Sequence, residues 1–308
     1  MWPNTKPKKC IIWGANGTHQ YIHYGYYQAM KFLKWDVEWI NYLVDDTSKY
    51  NNCDEYLFIL EGNNLQNIPI NPNAFYILHN CDMTQFTSIP EKNKLIQQVF
   101  TKDVYTRNVK EIHNGVFQYW QEDANTFYMP WATDLTPDEI DENIQKVKDN
   151  KLPIQNTNRA FFLGTVWDGY FGNINELNKF REGCNNINLP FEINNNTNVP
   201  AKDSIELIQN SIIAPTICGT WQKNKGYIPC RIFKTISYGH IGCTNSKESY
   251  ECLNKLIIYD EDESKVAEMA LQKINDKDYR ITAMEYVRNN HTYVNRIETI
   301  QNIFKYIK

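Results

Sequence analysis

Several absences narrow the reading of this sequence before any motif is considered. No apolar run among its 308 residues approaches the roughly 20 that a membrane helix needs. The start, "MWPNTKPKKC", has a basic flank, yet the following "IIWG" is too short for the apolar core of a signal peptide. Eight cysteines (10, 53, 81, 184, 218, 230, 243, 252) lie scattered, with no C-x-x-C and no paired-finger spacing, and read as reduced thiols. These features predict a cytoplasmic protein without an integral membrane segment. Excess positive charge is also missing: the net charge of −4 gives no global field to recruit nucleic acid or an anionic membrane. An anionic ligand would then be held by local cations. There is no G-x-G-x-x-G, since "GANG" (Gly14–Gly17) supplies two glycines with no helix directly after them, which argues against a dinucleotide cofactor. No D-x-D pair lies in a loop suited to a metal, because Asp260 and Asp262 in "YDEDES" read as a strand end and a helix cap.

What is present is an alternation of strands and helices, given twice. "KKCIIWG" (Lys8–Gly14) is a continuous apolar run ending in glycine, as a buried parallel strand requires. "YIHYGYYQAMKFLKW" (Tyr21–Trp35) places Ile22, Tyr26, Ala29, Met30 and Leu33 at helical spacing, and "DVEWINY" (Asp36–Tyr42) alternates as a second strand. Further strands are expected at Asp54–Gly62, Asn73–Asn80, Lys94–Phe100 and Asn125–Trp131. A polar helix and a Pro/Asn-rich connector follow (Asp134–Asn158), and the composition shift there marks a boundary. The second alternation opens at "RAFFLGT" (Arg159–Thr165) and runs through strands at "LPFEI", "IIAPTICG", "HIGCTN" and "KLIIYD" before closing in two helices. The fold class is therefore α/β: two Rossmann-like domains, at 1–155 and 156–285, with residues 286–308 as a helix that crosses back to the first. Ligands of such sheets bind beyond the carboxyl ends of the strands, in a cleft that the two domains face.

The stretch "GYIPCRIFKTISYGHIGCTN" (Gly226–Asn245) carries the chemistry. Pro229 suits the first turn of a helix, where its missing N–H is harmless. Ile232, Phe233 and Ile236 then face inward, and Arg231, Lys234, Thr235 and Tyr238 share the other face. Cations in the first turns oppose the helix's own positive end, so a bound anion, and specifically a phosphate, accounts for them. A solvated face is the plainer alternative. His79 ends the strand "FYILHN" at its ligand-facing end and is suited to take a proton near neutral pH; it could equally cap the strand through a backbone hydrogen bond.

The pattern Pro229, Arg231, Phe233, Lys234 and Gly239 resembles the P-x-R-x-F-E/K-x-x-x-x-G of GT-B glycosyltransferases, in particular the CgeB-like and family-1-like transferases. "FFLGTVWDGYFGN" (Phe161–Asn173) is similar to the first strand and loop of their donor domain, and "YMPWATDLTPDEI" to the segment leaving the acceptor domain. The resemblance implies an acceptor-binding first domain and a donor-binding second one. It implies a helix start and its cation that hold a nucleotide-sugar diphosphate. Many relatives place a ribose-binding Glu where this chain has Lys234, which cannot accept those bonds.

On this reading a sugar passes from a nucleotide-diphosphate donor to the hydroxyl of a carbohydrate acceptor, with no nucleic acid involved. Arg231 and Lys234 replace a divalent metal, and no metal or other cofactor is required. Gly164 and Thr165 border the phosphates, Tyr227 stacks on the base, and Asn245 bonds the sugar or ribose. His79 is the first candidate for the base and Asp168 the second. Aromatics of the first domain, among them Trp13, Tyr26 and Trp39, suit a carbohydrate surface. A sugar-nucleotide epimerase of the same fold would share the donor site without an acceptor, and a non-catalytic nucleotide-sugar or glycan-binding protein would bind donor without turnover.

Overall fold

The computed structural model describes residues 6–14, 20–61, 68–79, 87–100, 109–110, 119–121, 126–152, 157–195 and 199–307. They form two compact units, Met1–Asp134 with Tyr293–Lys308, and Leu135–Thr292.

In the first unit, β1 (Lys9–Gly14) is buried at both faces: Cys10, Ile11, Ile12 and Trp13 are all at 0% exposure. A strand with helices on each side has no polar face to present, which explains the unbroken apolar run. Helix α1 (Gln20–Phe32) follows and buries Ile22, Tyr26, Ala29 and Met30, the stripe its periodicity predicts. The remaining strands are β2 (Val37–Asn41), β3 (Tyr56–Glu61), β4 (Phe75–His79), β5 (Lys94–Gln98), β6 (Val109–Lys110), β7 (Tyr119–Gln121) and β8 (Thr126–Tyr128). They form one sheet in the order β2-β1-β3-β4-β5-β8-β7-β6. The first six of that order are parallel, with Ile12 opposite Trp39 on one side and Ile59 on the other. The short β7 and β6 add antiparallel at the end. Several of the aromatics expected to make a carbohydrate surface are core: Trp13 is stacked on Tyr42 at 5.9 Å, and Tyr26 is fully buried.

The second unit opens with α2 (Pro137–Lys148), whose start is fixed by Pro137 and by a reciprocal cap between Thr136 and Glu139. Next come β9 (Ala160–Leu163), α3 (Ile174–Asn186), β10 (Phe191–Asn194), α4 (Ala201–Gln209), α5 (Thr220–Asn224) and α6 (Cys230–Ser237). Then follow β11 (Cys243–Thr244), α7 (Lys247–Cys252), β12 (Ile258–Tyr259), α8 (Glu263–Lys273) and α9 (Lys277–Asn290). Pairs β10-β9 and β11-β12 are parallel, and the segment 212–217 joins them through single bridges, Ala160 to Ile213 and Thr216 to Thr244. That segment is read from sequence as a full strand. Pro215 lies between its two bridges, and a residue without an N–H cannot continue a ladder.

The sequence boundary near 155 falls instead at Asp134, because α2 belongs to the second unit. Its stripe of Ile140, Ile144 and Val147 packs with Ile232, Phe233 and Ile236 of α6 and with Met284 and Val287 of α9. Asn143 adds a hydrogen bond from its Nδ2 to Ser237 O at 3.1 Å. The last helix, α10 (Tyr293–Ile307), belongs to the first unit and begins seven residues after the expected 286, because α9 runs on to Asn290. Its Tyr293 ring lies 4.6 Å from that of Tyr26, over Gly25, where any Cβ would overlap the Tyr293 ring. Arg296, fully buried, donates from Nε to Pro130 O at 2.8 Å and from Nη2 to Trp131 O at 2.7 Å.

Candidate functional site

The parallel order of the second unit, β10-β9-(212–217)-β11-β12, reverses between β9 and the segment 212–217. Beyond the carboxyl ends at such a reversal, neighbouring connections leave in opposite directions and open a crevice. Here β9 ends at Leu163 and the chain turns at Gly164 with φ +147°, a conformation that favours glycine. A Cβ on Gly164 would overlap the guanidinium of Arg231. Arg231 reaches this point from the first turn of α6: its Nε donates to Leu163 O at 2.7 Å, and its Cζ lies 3.9 Å from the centre of the Phe162 ring. One carbonyl and one aromatic face thus fix a cation at the end of the strand, and the missing glycine side chain makes the space.

Helix α6 begins at Cys230, with Pro229 extended as its cap (φ −66°, ψ 140°). The expected open face of four residues is narrower in the structure. Thr235 and Tyr238 are buried, since Tyr238 packs with Ile208 and Ala214 while Ile232, Phe233 and Ile236 pack on the opposite cluster. Cores on two sides leave Cys230, Arg231 and Lys234 as the half-buried residues of this helix. A solvated helix face does not describe it. Lys234 stands one turn beyond Arg231, in the last turn, where a cation complements the helix dipole.

The neighbouring connection is held close by glycines: a Cβ on Gly219 would overlap Gly172 O. Thr220 donates from its N and Oγ1 to Glu176 Oε1 at 2.8 and 2.6 Å, tying the start of α5 to α3. Asn245 is buried and its amide is fully engaged. It accepts from Cys218 N (2.8 Å) and donates to Cys218 O (2.9 Å) and to Glu263 Oε1 (2.7 Å). It therefore positions the Cys218–Gly219 turn, and the expectation that it bonds a sugar or ribose is corrected. Lys223 also donates to Glu263 Oε1, at 2.9 Å. Burial raises the affinity of the Glu263 carboxyl for a proton, but the hydrogen bonds from Asn245 and Lys223 outweigh it and hold the pKa below the usual carboxylate value. Glu176, Lys223 and Glu263 escaped the sequence reading because they are scattered charges without a motif; only folding gathers them.

Thr165 is half-buried directly after Gly164, and its carbonyl accepts from Asn173 Nδ2 at 3.3 Å. Tyr227 is half-buried on the connection into α6. Asp168 is exposed and closes its own loop, with Oδ1 accepting from Gly169 N at 2.7 Å. His79 belongs to the other unit and is 3% exposed, with Trp131, Tyr26 and His23 rings at 5.1, 5.6 and 6.2 Å. That aromatic nest describes a packed ring, so the role of a base presented to an acceptor is not carried forward for His79. Residues 15–19, 62–67 and 80–86, which follow β1, β3 and β4, lie outside the described residues. Asp260 and Asp262 form the expected cap: Asp260 Oδ1 accepts from Asp262 N, and Asp262 Oδ1 accepts from Ser264 N at 3.1 Å to start α8. Among the described residues, no three His, Cys, Asp or Glu side chains gather as metal ligands, and no helix is long and apolar enough to cross a membrane.

No family model matches the chain, and no curated protein does. Solved structures do. An alpha-glucosyltransferase in complex with UDP and a 13-mer DNA containing an HMU base is similar with a TM-score of 0.60 and 12% identity, over 98% of this chain and 100% of that one. An alpha-glucosyltransferase in complex with UDP and a 13-mer DNA containing a central A:G mismatch gives 0.58 and 12%, over 97% and 99%. Both are complexes with UDP and with DNA, which overturns the expectation of a carbohydrate acceptor with no nucleic acid. The net charge of −4 is a sum over the whole chain and does not limit what a local surface can bind. The protein is α/β and has the fold of these alpha-glucosyltransferases, over nearly the full length of each.

Proposed function

We propose that the protein is a GT-B glycosyltransferase that moves glucose from UDP-glucose to a hydroxyl-bearing base in DNA. The observation that carries this reading is the Arg231 guanidinium, fixed by Leu163 O and the Phe162 ring at the end of β9 and at the start of α6. The sequence resemblance to CgeB-like and family-1-like transferases rests on the same residues. The UDP and DNA of the two similar structures support the choice of donor nucleotide and of acceptor class.

In the reaction, the bond from the sugar C1 to the β-phosphate oxygen breaks and the acceptor oxygen bonds to C1. The acceptor hydroxyl loses its proton, and UDP leaves with the electron pair. Charge develops on the diphosphate, so groups that stabilise it lower the barrier most. Arg231 provides two-pronged donation to phosphate oxygens, the first N–H groups of α6 add their dipoles, and Lys234 adds a second charge. These groups replace a divalent metal. Gly164 and Thr165 border the phosphates, Tyr227 stacks on the uracil, and the exposed Asp168 carboxylate takes the acceptor proton.

The test is mass spectrometry of a duplex oligonucleotide carrying one hydroxymethylated pyrimidine, incubated with UDP-glucose and protein. The oligonucleotide is expected to gain one hexosyl group, at a rate that a chelator leaves unchanged, while the unmodified duplex gains none. Failure to modify any DNA with UDP-, GDP- or dTDP-sugars would refute the proposal.

A further inference from the structure

Among the described residues of the first unit, four of the five exposed large hydrophobic side chains lie at one edge of its sheet. Phe32 ends α1, Trp39 stands on β2, and Leu43 and Val44, 62 and 75% exposed, belong to the turn that follows. Among the described residues β2 pairs with β1 alone, so its other side is the outer edge of the sheet. Edge strands commonly carry a proline, a bulge or several charges that deter a further strand. Strand β2 has a single charge, Glu38, no proline, and a register with β1 that runs unbroken from Val37 to Asn41. Cys10 N donates to Asp36 O at 2.8 Å and Tyr42 N to Gly14 O at 3.1 Å. Those bonds turn the backbone groups of Glu38 and Ile40 toward β1 and those of Val37 and Trp39 outward. At Asn41 the turn closes the edge: its N donates to Asp45 Oδ2 at 2.7 Å and its O accepts from Asp45 N at 2.9 Å. A groove of about 450 Å³ lies along this edge, lined by Tyr24, Tyr27, Val37, Glu38 and Trp39. The Tyr27 and His23 rings brace Trp39 at 6.2 and 6.3 Å.

The geometry points to a second copy of this chain as the occupant of that edge, added antiparallel through β2 about a twofold axis. A twofold interface must be complementary to itself, and the charges around β2 have that order. Exposed Lys31 and Lys34 precede the strand, and exposed Asp45 and Asp46 follow it. The other charges of these segments are engaged within the chain, Asp36 with Lys9 at 3.9 Å and Lys49 with Glu38 at 3.3 Å. Antiparallel pairing brings the basic start of each strand to the acidic end of the other, whereas parallel pairing sets like charge against like. With Val37 opposite the partner's Trp39, and the reverse, the outward N–H and C=O groups of both residues are paired. The exposed indole of each copy then covers the groove of the other, and Leu43 and Val44 come toward the partner's Phe32. Burying that surface is favourable by roughly 25 cal/mol for each Å². The axis passes beside Glu38, which accepts from Tyr50 Oη at 2.7 Å and lies 3.1 Å from Lys9, so its charge is compensated before a second copy arrives. An unrelated extended peptide offers the same backbone groups, but it has no reason to carry the basic-to-acidic order that this chain supplies to itself. The inference is independent of the function proposed above.

The experiment is sedimentation velocity of the full chain over a concentration series, with circular dichroism and thermal unfolding as folding controls. The wild type is expected to pass from one to two chain masses as concentration rises. Trp39→Lys, which sets a charge on the pairing edge, should weaken the dimer about thirtyfold or more. Lys34→Glu, at an exposed site that leaves folding intact, should weaken it about tenfold, with the loss growing at low salt. The charge-swapped chain Lys34→Glu/Asp46→Lys should recover most of that loss, because a twofold restores opposite charges at both ends. A wild type that stays monomeric up to about 100 μM overturns the inference. A dimer that Trp39→Lys and Lys34→Glu both leave unchanged overturns it as well, since the contact then lies elsewhere on the chain. A swapped chain no better than Lys34→Glu alone contradicts the antiparallel arrangement.

Discussion

Arg231→Ala is expected to lower kcat for sugar transfer by about 10²-fold or more, the usual cost of removing one pre-positioned donor from developing charge. The protein should stay folded, because Arg231 is half-buried at a helix start and its deletion opens no core. UDP affinity should fall in parallel. Arg231→Lys should recover only part of the loss, since an ammonium has neither the planar face that lies on Phe162 nor the paired donors for a phosphate. Gly164→Ala provides an independent check, as the added methyl claims the space of the guanidinium and the backbone there has φ +147°. It should reproduce most of the Arg231→Ala defect with the arginine still present. Steady-state kinetics decide the matter: unchanged turnover in both variants would remove the cation from the mechanism.

Arg296→Met is expected to destabilise the first unit by about 3 kcal/mol, with little effect on UDP binding by protein that remains folded. The substitution keeps an apolar stem of similar length but removes the donors to Pro130 O and Trp131 O. Two interior carbonyls then lose their partners, at a cost of about 1–3 kcal/mol each. Because α10 returns to the first unit through this contact and through Tyr293 on Tyr26, the same change loosens the docking of the last helix. Urea unfolding measures it, and an unchanged midpoint would show that the guanidinium contributes nothing net.

The first unit was legible because its parallel strands are buried on both faces and therefore appear as unbroken apolar runs: all six parallel strands lie within segments read from sequence. Strands β6 and β7 have two and three residues, too few to show a period. In the second unit the strands are shorter than read, because Pro215 interrupts one ladder and β11 and β12 pair over two residues. Helix α2 was read only as a polar helix, because its apolar stripe of Ile140, Ile144 and Val147 is narrow, and nothing in that reading names the second unit as its partner. At the site, Arg231 could be found from its position behind Pro229 and before an apolar face. Asn245 could not be separated from a ligand contact, since an asparagine after a strand looks the same whether its amide meets a sugar or the backbone of Cys218. Thr235 and Tyr238 were placed on an open face because periodicity reveals one apolar face and cannot show that a second core covers the other. A net charge summed over the chain could not speak for or against the acceptor proposed above.

Calorimetric titration of the wild type with UDP and, separately, with UMP tests the diphosphate site most directly. Arg231 and the start of α6 should act chiefly on the distal phosphate, so UDP is expected to bind at least about tenfold more tightly than UMP, in line with the loss of one charge-assisted contact. In Arg231→Ala that preference should largely vanish. Equal affinities for the two nucleotides in the wild type, or no binding of UDP, would contradict the account.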